Sequence, residues 1–189
     1  VVANPEMRLR DEDLKKRNIA PSAVRRWFKK NHNMSFQAFQ RMLRINKAFS
    51  EIVTGEKVTA SAFDSGYNSL SGFNERFRSV IGMAPKEAKD KSIITITRFT
   101  TPLGPMYACA TRQGLCLLEF TNRRMLEREF DDLKKRLNAV ILPGKNEHLD
   151  QVEQEISAYF DGLRKTFSVS VHAPGTDFQK RVWEALCKV

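Results

Sequence analysis

The spacing of apolar positions changes once along the chain. Up to about Lys91 they recur every three or four residues, which places them on single faces of helices. From Ile93 a β-branched run begins, with Ile93, Ile94, Ile96 and Phe99, and the expectation shifts to strands. The helical half reads as two short helical pairs. In the first, a helix from about Asp11 to Arg17 is followed by Asn18, which tolerates the left-handed conformation of a tight turn, and by Pro21, suited to the first position of a second helix. Val24, Trp27 and Phe28 are expected on one side of that helix, with Ser22, Arg25, Arg26, Lys29 and Lys30 pointing away.

The second pair runs through VTASAFDSGYNSLSGFNERFRSVIG. Val58 and Phe63 form its first apolar face, Gly66 makes the turn, Ser69 caps the second helix and Gly82 ends it. Phe73, Phe77 and either Val80 or Ile81 are expected inside, leaving Leu70, Ser71, Asn74, Glu75 and Arg78 outside. The pairs, 11–30 and 58–82, are joined by an amphipathic segment, 35–53, with Phe36, Phe39, Leu43, Phe49 and Ile52 or Val53 on its buried side. Some 19 residues at 1.5 Å each make roughly 28 Å of rod. With packing at each end, such a rod could hold two helices about one turn of DNA apart, near 34 Å.

The second half reads as α/β. Strands are expected at Ile93–Thr100, Met106–Thr111 and Leu115–Phe120, the last two joined as a hairpin with Gly114 in the turn. A helix Arg124–Leu137, a strand Val140–Leu142, a helix Leu149–Phe160 and a strand Phe167–Val171 follow. The closing helix, FQKRVWEAL, has N-cap chemistry in Thr176 and Asp177 and a stripe of Phe178, Val182 and Leu186 that is expected to pack against the α/β half or a neighbouring molecule. This organisation gives domains at 1–91, 92–175 and 176–189, with a linker near Asp90 to Ser92.

Composition narrows the class. Apolar residues make up 41% of the 189, enough for modest cores, and no apolar run approaches the roughly 20 residues that cross a bilayer. A cytoplasmic protein without a membrane partner is expected. The chain begins without Met and without a signal-like stretch, and both ends are expected to lack material. Cys109, Cys116 and Cys187 are odd in number and have no CxxC spacing, so neither a disulfide framework nor a metal site is expected. The net charge of +10 is unevenly shared: residues 1–91 hold 18 Lys+Arg against 10 Asp+Glu, and the remainder 14 against 12. A basic half is the footprint of phosphate binding, though an ordinary helical core with a solvated basic face has the same composition.

Two helical pairs on one rod separate these readings. The stretch from Arg8 to Ala88 resembles the AraC/XylS family of DNA-binding regulators in the rod, the Gly66–Tyr67 pair, the spacing of Phe73 and Phe77, and the closing GMAPKEA from Gly82. The resemblance implies that the second helix of each pair enters a major groove of double-stranded promoter or operator DNA. It carries base contacts to Ser22, Arg25, Arg26, Ser71, Asn74 and Glu75, where Arg suits guanine, Asn suits adenine and Glu accepts from cytosine. Lys29, Lys30, Arg78 and Lys86 are the expected phosphate contacts, and RNA polymerase is a further expected partner. The first pair departs from the family in having Arg17 and Asn18 where a small residue and Gly are usual, and little of a preceding helix.

From Thr97 onward, FTTPLGPMYACATRQGLCLLEF, AYFDGLRKTFSVSV and GTDFQKRVWEAL resemble the opening of the O6-alkylguanine-DNA alkyltransferases. An AraC-type domain placed before such a domain resembles the Ada family of bifunctional alkylation-response proteins. The implied fold is multi-domain: an all-α double helix-turn-helix domain, an α/β ribonuclease-H-like subdomain, and the first helix of a catalytic subdomain. That chemistry needs a thiolate in a Pro-Cys-His-Arg motif, which these residues do not contain. Cys109 and Cys116 are expected as inert core thiols, Cys187 as an exposed one, and His32, His148 and His172 as structural or solvated. No catalytic residue and no cofactor is therefore assigned. The expected function is a sequence-specific transcriptional regulator of the alkylation response; the alternative is methylated-DNA-protein-cysteine methyltransferase activity of a full-length parent. A weaker third reading, a regulator whose α/β half senses a small ligand, has neither a Gly-rich phosphate loop nor paired carboxylates behind it.

Overall fold

The computed structural model describes residues 7–32 and 34–188, and the side chains of all of these except residues 31 and 32. The expectation for the His32 side chain and the reading of the first six residues fall outside the described part. The chain divides into two compact units, Val1–Asp90 and Lys91–Val189.

The first unit is helical: α1 (Asp11–Lys16), α2 (Pro21–His32), α3 (Phe36–Val53), α4 (Val58–Asp64), α5 (Leu70–Ile81) and a 3₁₀ turn at Pro85–Ala88. Local chemistry sets the boundaries. Asn18 takes the left-handed conformation at φ 58°, doing at the α1–α2 turn what a glycine would do. The Ser35 and Ser69 hydroxyls accept from the Ala38 and Gly72 amides and start α3 and α5. Gly82, at φ 85°, closes α5.

The buried stripe of α3 runs at four-residue steps through Phe36, Gln40, Arg44, Ala48 and Ile52, with Ile45 and Phe49 beside it. Phe39 and Leu43, expected on this side, are half-buried. Gln40 is inside because its amide answers a backbone: Leu9 N donates to Oε1 at 2.8 Å and Nε2 donates to Leu9 O at 3.0 Å. These bonds tie the segment before α1 to α3. Arg44 lies 5.8 Å over the Tyr67 ring, and burial holds its guanidinium pKa below the ordinary value while raising that of the Tyr67 hydroxyl.

Two aromatic positions differ from the sequence reading. Trp27 is 53% exposed and Phe63 is 56% exposed. Around α2 the inner face belongs to Val24 and Phe28, which pack on Leu9, Leu14 and Phe36, so Trp27 falls to the flank. On α4 the close approach to α3 is made by the small residues Ser61 and Ala62, which leaves Phe63 outside. At the end of α5 it is Ile81 that is buried and Val80 that is exposed.

The second unit holds β1 (Ser92–Thr101), β2 (Gly104–Ala110), β3 (Leu115–Phe120), α6 (Leu126–Arg136), β4 (Ala139–Pro143), α7 (Glu147–Phe160) and α8 (Asp177–Leu186). The sheet order is β3-β2-β1-β4, with β1 and β4 parallel and the other pairs antiparallel. Side-chain alternation serves two helices. Phe99, Met106, Ala108 and Ala110 face α7 through Leu149, Val152 and Ile156, whereas Ile94 and Cys109 pack with Leu133 of α6. Tyr107 meets Phe130 of α6 edge to face at 5.9 Å.

The expected strand Phe167–Val171 does not form. Among the described residues its backbone meets the sheet at one parallel bridge, Leu115 to Val171, made by Leu115 N to Ser170 O and His172 N to Leu115 O, while Val169 packs on the sheet core. The segment is held from the side instead: Glu155 of α7 accepts from Ser168 Oγ at 2.5 Å and from the Ser168 and Val169 amides. Nor does the stripe of α8 pack against the α/β half, the first of the two expected partners. Phe178 and Leu186 are 68% and 66% exposed, and no residue of α8 is buried. Its close contact is the Trp183 ring lying over Gly175, where a Cβ would come within 2.5 Å of the ring.

Candidate nucleic-acid interface

Aromatic contacts attach α2 and α5 to opposite halves of α3. Phe28 of α2 meets Phe36 and Phe39 with ring centroids 5.0 Å apart, and Phe77 of α5 stacks on Phe49 at 5.9 Å. The anchor positions on α3 are thus separated by about 15–20 Å of helix at 1.5 Å per residue. These contacts seat α2 and α5 at different ends of α3.

At about 100° per residue, the inward Val24 and Phe28 of α2 place Ser22, Arg26, Lys29 and Lys30 on or near the opposite face. Arg25 stands closer to the inner edge, beside α1. On α5, with Phe73, Phe77 and Ile81 inward, Ser71, Glu75 and Ser79 line the opposite face, and Asn74 stands on the flank. All ten expected contact residues, Lys86 on the 3₁₀ turn included, have exposed side chains. Ser79 is an addition to that face; the sequence reading passed over it because nothing marks it chemically.

The two faces differ in charge. α2 carries Arg25, Arg26, Lys29 and Lys30 and no acidic residue, whereas α5 mixes Arg76 and Arg78 with Glu75. The electrostatic attraction to phosphate is therefore concentrated on α2, and α5 offers a more neutral hydrogen-bonding surface. Within the basic face, Arg25 is already engaged: its Nη1 donates to Asp11 Oδ2 of α1 at 2.7 Å.

The second unit presents no activated nucleophile among the described residues. Cys109 is buried against α6, and burial together with the neighbouring Cys116 drives its thiol pKa far up. Burial pushes the Cys116 thiol to about 11, and its Sγ donates to Cys109 O at 3.3 Å. Cys187 on α8 is exposed. Thr111 Oγ1 lies 2.9 Å from His172 Nδ1, and His148 Nε2 lies 3.3 Å from Arg112 O; both histidines pin loops. Among the described residues, no three His, Cys, Asp or Glu side chains come together as a metal set. No described helix is long and apolar enough to cross a membrane.

Comparison with known proteins finds a domain match in each unit. Residues 15–91 match the helix-turn-helix domain family of the AraC type, and residues 94–173 match the ribonuclease-like domain of 6-O-methylguanine DNA methyltransferase. The regulatory protein ada of Salmonella typhimurium is 22% identical over 179 residues, covering 90% of this chain and 49% of that protein. The bifunctional transcriptional activator/DNA repair enzyme Ada of Escherichia coli is 22% identical over 175 residues, covering 89% and 48%. An inducible methylated-DNA–protein-cysteine methyltransferase of Bacillus subtilis is 35% identical over 83 residues, covering 44% and 46%. The chain spans about half the length of these curated relatives.

Proposed function

We propose that this chain, an AraC-type helix-turn-helix domain joined to the ribonuclease-like domain of a 6-O-methylguanine DNA methyltransferase, is the DNA-reading part of an Ada-like transcriptional regulator of the alkylation response. The observation that carries this reading is the pair of exposed polar helices, α2 and α5, hung by aromatic contacts from opposite halves of one rod. On it, α2 and α5 enter successive major grooves of operator DNA. Ser22, Arg25, Arg26, Ser71, Asn74 and Glu75 meet base edges, and Lys29, Lys30, Arg78 and Lys86 meet phosphates. The domain boundaries at residues 91 and 175 separate this reading module from the α/β partner and from α8. RNA polymerase is the protein partner such a regulator engages, and the bacterial cytoplasm is where it meets both.

The second reading, favoured by the match over residues 94–173, is methylated-DNA–protein-cysteine methyltransferase activity of the full-length protein. It concerns chemistry outside Cys109 and Cys116, which burial keeps as protonated core thiols.

A salt titration tests the DNA-binding reading. Duplex affinity should fall steeply between about 50 and 200 mM salt, and Lys29→Ala should reduce the logarithmic slope by about one. Binding indifferent to salt would remove the basis for the reading.

A further inference from the structure

We propose that Asp11 is a positioning residue that presents Arg25 for reading guanine, an inference resting on the reading of α2 as a DNA-entering helix. The carboxylate is the first residue of α1, and the guanidinium is the fifth of α2. Arg25 Nη1 donates to Asp11 Oδ2 at 2.7 Å, and neither side chain has another partner among the described residues. Both are half exposed, at 59% and 49%, so the pair does little for stability. Its effect is on where the guanidinium points.

The backbone that carries the carboxylate is fixed. Arg10 N donates to Asp13 Oδ2 at 2.8 Å and sets the first turn of α1, and Leu14 beneath packs with Leu9, Val24, Phe28 and Phe36, which locks α1 to α2. A long side chain held at one terminal nitrogen keeps its remaining donors in a restricted orientation. Arginine has five N–H donors in a planar fork, and Asp11 takes only one of them. The Nε–Nη2 edge stays open, and two parallel donors on one edge match the N7 and O6 acceptors of guanine in the major groove. Arg26, one residue on, has no partner among the described residues and must be ordered entirely by DNA. The two arginines of α2 thus divide: Arg25 is pre-oriented for its base, and Arg26 is ordered only on meeting its own.

The opposite role for Asp11 makes a different prediction. A carboxylate that merely neutralised Arg25 would weaken attraction to every duplex alike, and its removal would tighten binding without regard to sequence.

The experiment measures binding of the full chain to its best duplex and to single base-pair variants at the position whose preference Arg25→Ala erases. Asp11→Asn, nearly isosteric, should reduce discrimination at that position by roughly 3- to 10-fold, the cost of ordering one long side chain. It should leave other positions unchanged, and it should have no further effect in an Arg25→Ala background. Glu12→Gln, the same change of charge in the same helical turn, should leave that position's preference intact. Unaltered discrimination in Asp11→Asn, or a uniform gain of affinity for all duplexes, overturns the inference. So does a specific wild-type chain whose preferences survive Arg25→Ala. A wild-type chain that prefers no duplex overturns the DNA-reading function itself, which keeps the two failures apart.

Discussion

At the residue scale, chemistry divides between side chains proposed to face DNA and side chains that hold the scaffold. Asn74 has an exposed amide on the flank of α5, suited to bidentate bonding with adenine. Its replacement by Ala should relax preference at one position of the second half-site at a cost of about 1–3 kcal/mol in specific binding, read as a ratio of dissociation constants. Glu155 belongs to the scaffold. Hydrogen bonds from the Ser168 hydroxyl, the Gln151 amide and the Ser168 and Val169 backbone hold its carboxyl at about 2, against an ordinary 4.5 and in opposition to burial. Because the folded pKa is depressed, the carboxylate's contribution is complete above about pH 4.5 and is lost as pH falls from there toward 2. Resistance of the second unit to denaturant should fall as pH drops across that window, and Glu155→Gln should unfold more easily at neutral pH and lose the dependence.

At the element scale, helix ends were legible because caps carry specific chemistry. Ser69 and Thr176 accept from the amides three residues on, Gly82 takes the left-handed conformation, and Asn18 does so without being glycine. Removing the Ser69 cap should cost about 1 kcal/mol of first-unit stability, checked by thermal unfolding of Ser69→Ala, and should weaken binding through disorder at the start of α5. Helix faces were less legible. Trp27 and Phe63 read as core by hydrophobicity, yet each stands beside smaller residues that make the close contact. Gln40 and Arg44 are polar yet buried, and each has a partner that sequence spacing cannot reveal: the Leu9 backbone, 31 residues from Gln40, and the Tyr67 ring. The segment around Phe167–Val171 has the alternation of a strand, but its amides answer a carboxylate of α7 and it meets the β3 edge at one bridge. Periodicity reports which residues are apolar; it does not report which surface reaches them first.

At the scale of the whole molecule, the change of period at residue 91 and the division of charge separate two units with different work. The double helix-turn-helix was readable because aromatic spacing in the rod and turn chemistry point the same way, and the α/β unit because its strands alternate between α6 and α7. The tie between Asp11 and Arg25 was not readable, since it joins residues 14 apart on two helices whose crossing only the fold sets. The central claim is that α2 and α5 read two successive major grooves. Selection by this chain from a random-sequence duplex library tests it most directly. The account predicts an enriched motif of two boxes with centres about one helical turn, roughly 10 base pairs, apart, with guanine prominent in the box read by α2. Enrichment of a single box, or recovery of duplexes with no common sequence, would contradict it.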